Sequence, residues 1–389
     1  MKAITRAKGF LAYGMHCGIK LVKLDLALIY SKVSAKVAGV FTANKFKAAP
    51  LLLTQQLVKK GQAQAIIMNS GSANCATGKQ GMADARTMSN LTKKVLGLKD
   101  PALVASTGVI GRRLPIDKIK QAIPDLALHL STEGGDNAAK AILTTDRHVK
   151  ESYTRIKIGK KKITIGGIAK GAGMIEPNMA TMLGFITTDA VIALPALKRA
   201  LKNAVDESFN KITVDGCQST NDMVLVMANG LAKNKIIKSG KDLDKFTSGL
   251  EKVCADLAKM IVADGEGATK FVEIKVIGAR NKAQAGKIAR VIANCNLLKC
   301  ALHGSKANWG RIVAALGSTA VNFDARKVKI KLAGKLVFSN NEPTKINQHK
   351  MNKAMKARDI KVEVDLSQGT KEDKCWTCDL SSAYVRINS

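Results

Sequence analysis

Short apolar runs alternate with amphipathic stretches almost from the start of the chain, and the spacing of the apolar positions changes from run to run. "DLALIY" and "KVAGVFT" crowd branched and aromatic side chains into a few residues, which predicts two strands. "TQQLVKKG" then reads as a helix with Thr54 as N-cap and Gly61 as its stop. "AQAIIMNS" is a strand that delivers its end into a loop of small and polar residues, "GSANCATG". Met82, Ala85, Met88, Leu91 and Val95 follow at helical spacing up to Gly97. "ALVASTGVIG" is a further strand with a small-residue end, and "PIDKIKQAI" puts proline at a helix start, where its missing N–H is not needed.

The second half repeats the style. "TMLGFITTDA" and "DMVLVMAN" read as strands, "LPALKRALKNAVDESF" as a helix, and a long helix spans about Asp242 to Asp264. "KFVEIKVIGA" alternates strictly, as a half-buried strand does, while "NKAQAGKIARVIANCNLLKCAL" reads as one helix. After Gly304 the chain is strand-rich again. The mixture predicts layers of sheet and helix, an α/β (α+β) protein rather than a bundle or an all-β barrel.

Composition sharpens this picture. A chain of 389 residues can bury the cores of two or three domain-sized units. With 46% hydrophobic but only 4% aromatic residues, those cores must be built from Ala, Ile, Leu, Val and Met. No run approaches the roughly 18 apolar residues of a membrane span. The basic N-terminus is followed only by the short "GFLAYGM", which does not make a secretory signal. The expectation is a cytoplasmic protein with no membrane partner.

The net charge of +33, from 63 Lys and Arg against 30 acidic residues, raises nucleic acid as a partner. Only 13 of the 63 are arginine, the lysines are dispersed, and aromatic platforms are scarce. A lysine-rich solvated surface without specific nucleic-acid binding accounts better for the charge, and it would draw in anionic substrates. Of the eight cysteines, only Cys375 and Cys378 form a CxxC, with no second pair to complete a zinc site, so no metal is expected.

Chemistry-bearing motifs are mostly absent. "GAGMIE" begins like a dinucleotide fingerprint but has Glu176 at its third glycine position, and "GSANCATGKQ" has Gln80 where a P-loop needs Ser or Thr. There is no GxSxG elbow, and the five histidines sit in unrelated contexts. What remains is a set of small-residue loops at strand ends: "NSGSANCATG", "STGVIG", "TTD", "AKGAGMIEPNMAT", "DGCQSTND", "DGEGATK" and "NWGRI". Each alone is a turn. Together they look like the walls of one polar pocket.

The block "GGIAKGAGMIEPNMATMLGFITTDA" resembles the signature of the ornithine acetyltransferase family of arginine biosynthesis, also called bifunctional glutamate N-acetyltransferases. "GFLAYGMHCGIK", "AGVFTANKFKAAPL", "NSGSANCATG", "STGVIG", "FNKITVDGCQSTND", "DGEGATKFVEI", "NWGRI" and "WTCDLSSAYVRIN" follow the family's order, from residue 10 to 388.

The resemblance implies an αββα sandwich of the self-cleaving N-terminal-nucleophile type with a smaller C-terminal α/β lobe from about residue 280. It implies cleavage between Ala180 and Thr181 into chains 1–180 and 181–389, which stay together as α₂β₂. Thr181 would be the nucleophile, with its freed α-amine as base, and Thr107 and Gly108 would form the oxyanion hole. Thr144, Lys170, Thr181, Glu266 and Asn388 would touch the substrates, N-acetylornithine and glutamate. On residues alone, Lys170 also reads as a surface lysine and Glu266 as a helix-terminal turn residue. No cofactor would be required, with acetyl-CoA as a second acetyl donor in bifunctional members. A hydrolase or aminopeptidase on the same scaffold is the nearest alternative.

Departures from the family pattern are few. Cys217 stands where Asp is usual, Lys306-Ala307 replaces Asp-Pro before "NWGR", and the sequence stops at Ser389 where the family continues to a terminal Thr or Ser.

Overall fold

A computed structural model of the chain describes residues 2–176 and 182–389. It divides into two compact units, Met1–Asn210 with Gln218–Ile261, and Lys211–Cys217 with Val262–Ser389. The first contains, in chain order, β1 (Phe10–Met15), β2 (Leu26–Phe41), α1 (Ala49–Val58), β3 (Gln62–Ser72), α2 (Gly78–Val95), β4 (Leu103–Val109), α3 (Ile116–Leu128) and α4 (Gly135–Ala141). It continues with β5 (Lys150–Ile158), β6 (Lys161–Lys170), β7 (Leu183–Thr188), α5 (Leu194–Asp206), β8 (Met223–Ala228) and α6 (Gly240–Ala263), the last running just past Ile261.

The 16-residue strand β2 organises this unit. Its first half pairs with β1 on one side, from Phe10↔Ser31 to Met15↔Leu26, and with β3 on the other, from Leu26↔Asn69 to Tyr30↔Ala65. The register slips between Tyr30 and Ala35, and the second half pairs with β8 from Lys36↔Ala228 to Phe41↔Met223. Such an irregularity bends a strand and re-aims its side chains. The order β4-β3-β2-β8-β7-β6-β5, with β1 attached to β2, therefore forms two half-sheets sharing one strand.

Period-two alternation sorts the side chains into layers. Ile29, Met68 and Ala105 from one half join Leu183, Phe185, Leu225 and Met227 from the other in a single buried cluster. The alternate residues Leu26, Leu28, Ile67 and Val104 face the opposite way, against Ala85 and Met88 of α2 and Ile119 and Ile123 of α3. Across the other half-sheet lies α6. A Cβ built on its Gly249 would stand 2.9 Å from Ile156 of β5 and 3.2 Å from Ile165 of β6. The layers run α, β, β, α, as the resemblance implies.

In the second unit are β9 (Phe271–Ala279), α7 (Lys282–Ala293), α8 (Asn296–His303), α9 (Gly310–Gly317), β10 (Lys329–Leu332) and β11 (Lys335–Ser339). After them come β12 (Glu342–Pro343), α10 (Gln348–Ala354), β13 (Asp359–Asp365), β14 (Lys371–Cys378) and α11 (Ser382–Asn388). The strand order is β12-β11-β10-β13-β9-β14, with β9 parallel to β13 and antiparallel to β14. Val272, Ile274 and Val276 of β9 pack with Val362 and Val364 against Ile288 and Ile292 of α7 and Ile312 of α9. Cys375 and Cys378 are buried thiols of β14, and burial pushes the Cys378 thiol up.

Three local readings are corrected. "DLALIY" and "KVAGVFT" are one strand, because "SKVSA" between them has no Gly, Pro, Asn or Asp and stays extended through the register slip. Thr54 caps nothing: α1 begins at Ala49, with proline in its first turn, and the Thr54 hydroxyl bonds Val104 of β4 instead, donating to its carbonyl at 2.6 Å and accepting from its N–H at 2.8 Å. The helix read through "NKAQAGKIARVIANCNLLKCAL" breaks into α7 and α8, since Asn294 leaves the helix and accepts a 2.6 Å hydrogen bond from the Thr213 hydroxyl.

Phe185→Ala tests the shared core. Removing this ring, buried between both half-sheets, should cost about 3–5 kcal/mol, read as a lower urea midpoint with the far-UV spectrum of the folded protein unchanged.

Candidate active site

Several strand ends of the first unit meet at one edge of the folded sheet. Strand β4 closes with Thr107, Gly108 and Val109, and β3 runs beside it in parallel so that Ser70 pairs with Thr107 and Gly71 with Gly108. Gly108 has φ +132, and a Cβ there would lie 2.4 Å from the Gly71 carbonyl carbon and 2.6 Å from the Ser72 nitrogen. No other residue fits so close a backbone approach. The chain therefore ends this strand with Thr107 half-buried and Gly108 exposed.

Buried amides brace the turn from behind. Ser106 donates to Asn69 Oδ1 at 2.6 Å, and Asn69 Nδ2 donates to the Ser72 carbonyl at 2.9 Å. Asn221, just ahead of β8, donates from Nδ2 to the carbonyls of Ser106 (2.9 Å) and Ala73 (2.6 Å). Polar groups so buried are costly unless paired, so these bonds fix the relative placement of three segments.

A second cluster surrounds Asp146, whose side chain is fully buried. It accepts from the N–H of Thr144 at 3.0 Å, the N–H of Gly171 at 2.7 Å and the Lys150 ammonium at 2.7 Å, and the Lys170 ammonium stands 3.9 Å away. Burial alone would push this carboxyl up. The ammoniums of Lys170 and Lys150 overcome it and hold Asp146 well below the usual carboxylate range. Lys170 ends β6, where it pairs with Leu183 of β7, and Leu183 pairs with Met223 of β8. Ala180 and Thr181, the expected cleavage site and nucleophile, lie outside the described residues.

The second unit carries the remaining two expected residues. Glu266 is buried in the loop between α6 and β9, and Asn388 of α11 donates to its Oε2 at 2.7 Å. That loop is held to α11: Gly267 has φ +69, and the Ser381 hydroxyl donates to its carbonyl at 2.7 Å. Tyr384 donates to Asp215 at 3.2 Å, and burial followed by the Asp215 charge pushes its phenol up. Cys217 is exposed two residues after Asp215.

Thus Thr144 and Lys170 converge on one carboxylate, Thr107 and Gly108 form a braced turn, and Glu266 bonds Asn388. The sequence reading passed over Asp146, Lys150 and Asn221. Asp146 stood in "TTD" and Asn221 in "STND", both picked out as polar loops. Lys150 gave no signal in so lysine-rich a chain. Among the described residues no three His, Cys, Asp or Glu side chains are grouped to hold a metal ion, and no helix is long and apolar enough to cross a membrane.

The profile of the ArgJ family matches residues 11–389. The chain belongs to the ArgJ family. It is 46% identical to the arginine biosynthesis bifunctional protein ArgJ of Bacillus licheniformis, over 100% of this chain and 96% of that protein. It is 45% identical to the protein of the same name from Bacillus subtilis, over 99% and 95%. Among solved structures, the ArgJ protein of Bacillus halodurans matches with 42% identity and a TM-score of 0.51, covering 52% of this chain and 97% of that one. An ornithine acetyltransferase of Mycobacterium tuberculosis complexed with ornithine matches at 38% identity and a TM-score of 0.42, over 46% and 96%.

Asp146→Asn should destabilise this ArgJ-family protein by about 3–5 kcal/mol at pH 7, because it removes the buried carboxylate charge that faces both the Lys150 and Lys170 ammoniums. A carboxyl depressed in the folded state stabilises it above the unfolded value near 3.9 and loses that contribution as pH falls through the folded value. The gap in urea midpoint between wild type and variant should therefore narrow below about pH 4.

Proposed function

We propose that this ArgJ-family protein is a glutamate N-acetyltransferase of arginine biosynthesis, moving acetyl from N-acetylornithine to glutamate through an ester on Thr181. The observation that carries the reading is the Gly108 turn: a backbone that admits no side chain, braced by buried amides and ending exposed beside the Thr107 hydroxyl. Rigid donors of this kind stabilise a tetrahedral oxyanion without reorganising during the reaction. Relatives about 45% identical along nearly their whole length are named for arginine biosynthesis.

Thr181 would first attack its own chain. Its Oγ adds to the Ala180 carbonyl, the C–N bond breaks as an ester forms, and water hydrolyses the ester to a carboxylate. The α-amine released on Thr181 has an unperturbed pKa of about 7.7–8.0, so it can take the hydroxyl proton in each later turnover without any histidine. Acetyl then passes from N-acetylornithine to Thr181 Oγ, ornithine leaves with the proton, and the glutamate amine attacks the ester. Lys170 suits a substrate carboxylate, and Glu266 with Asn388 suits a cationic side-chain amine.

A solved Bacillus halodurans chain matched over 97% of its own length spans only 52% of this chain, which supports cleavage near the middle. Chains 1–180 and 181–389 would remain associated as α₂β₂ in the cytoplasm, with acetyl-CoA as a second donor and no required cofactor.

The intact mass of the purified protein should show two pieces meeting at Thr181, and Thr181→Ala should give one folded, inactive chain. Thr107→Ala should lower acetyl transfer by about 10²–10³. Acetyl delivered to water in place of glutamate would turn the reading into a hydrolase. An uncleaved sample that transfers at full rate would remove the α-amine base altogether.

A further inference from the structure

The loop between β1 and β2 is closed by one buried carboxylate. Asp25 accepts from the N–H groups of Cys17 (2.6 Å), Ile19 (2.7 Å) and Lys20 (2.8 Å), which fixes the direction in which the Lys20 side chain leaves. The stem of Lys20 crosses Gly71: a Cβ on Gly71, where φ is +106, would stand 3.2 Å from Lys20 Cγ and 2.9 Å from Ile19 Cγ2. Gly71 is the strand partner of Gly108 and the backbone that crowds it. Beyond Gly71 the Lys20 ammonium donates to the carbonyls of Leu24 (2.9 Å) and Leu143 (2.6 Å). Leu143 directly precedes Thr144, whose own N–H is held by Asp146.

We propose that Lys20 is a positioning residue of the acyl-transfer site, a clamp that holds the Thr144 loop against the back of the Gly108 turn. Its role as part of that site rests on the transferase reading above; the clamp itself rests on these contacts. Three segments far apart in sequence, at residues 20, 71 and 143, meet through this one side chain. The two carbonyls hold the ammonium by charge-assisted hydrogen bonds, which are about twice as strong as neutral ones.

The clamp is sensitive to pH. Burial pulls Lys20 down to about 8, with Asp25 and Asp146 opposing the shift and the ammoniums of Lys23 and Lys170 adding to it. Lys118 of α3 reaches the same loop through the Gly18 carbonyl at 3.2 Å, and His16 stands 3.4 Å from Asp25. Because the folded value lies below the unfolded one, raising the pH from 8 towards 10.5 strengthens the fold, while the Thr144 loop loses its charged anchor. Site order and global stability should therefore part company above pH 8.

Lys20→Met and Lys20→Arg are compared with wild type by acetyl transfer from N-acetylornithine to glutamate between about pH 6.5 and 9.5, and by hydrogen exchange of the peptide covering 142–148 at one pH. Wild-type kcat should fall on its alkaline side near pH 8. Lys20→Met should lower kcat about ten-fold at neutral pH with KM little changed, lose that alkaline limb, and exchange faster at 142–148. Lys20→Arg, which stays charged, should keep most of the rate and move the limb up by about one pH unit or more. Unchanged exchange in Lys20→Met overturns the clamp, whether or not the rate falls. Faster exchange in a protein whose wild type transfers no acetyl keeps the clamp and sinks the transferase reading.

Discussion

A slip of register in β2, between Tyr30 and Ala35, underlies the part of the candidate site that the first unit carries. Without it β2 would carry one flat sheet, with β4 and β8 ending on opposite flanks. With it the two half-sheets close over a shared apolar cluster, and the lead into β8 comes against the end of β4. Asn221 seals that meeting with two buried hydrogen bonds. The packing energy of the sandwich and the geometry of the Gly108 turn are thus consequences of the same bend.

Charge inside this molecule follows a different rule from charge on its surface. Lysine outnumbers the acids along the whole chain, and most of it is solvated, where each charge contributes little to stability. At the strand ends one buried carboxylate, Asp146, stands between two lysines and two backbone N–H groups. Such a centre holds only as a complete set, because removing one member strands another in a poorly solvating interior. It gives the Lys170 ammonium a defined place, 3.9 Å from the Asp146 carboxylate.

A site poor in histidine still needs a base near neutrality, and self-cleavage at Thr181 would make one from the backbone. That proposal joins fold and chemistry, since an N-to-O shift needs the same oxyanion donors as acetyl transfer. One turn, at Thr107 and Gly108, would then serve maturation and turnover alike. Both reactions would require it to be rigid, and the amides of Asn69 and Asn221 brace it from behind.

Local pattern determined most of the elements by itself. The alternation in "KFVEIKVIGA" and the helical spacing after Met82 reappear as β9 and α2, because periodicity records which face of a segment is buried. Ordered motifs likewise named the family that the whole chain belongs to. Tertiary structure decided where polar side chains spend their hydrogen bonds. Thr54 bonds a strand 50 residues away instead of capping its helix, Asn294 breaks a helix to meet Thr213, and Asp146 gathers Lys150 and Lys170. Lys20 reaches Leu143, 123 positions along the chain. A hydroxyl, amide or ammonium takes the best partner that folding brings within about 3 Å, and distance along the chain says nothing about which partner that is.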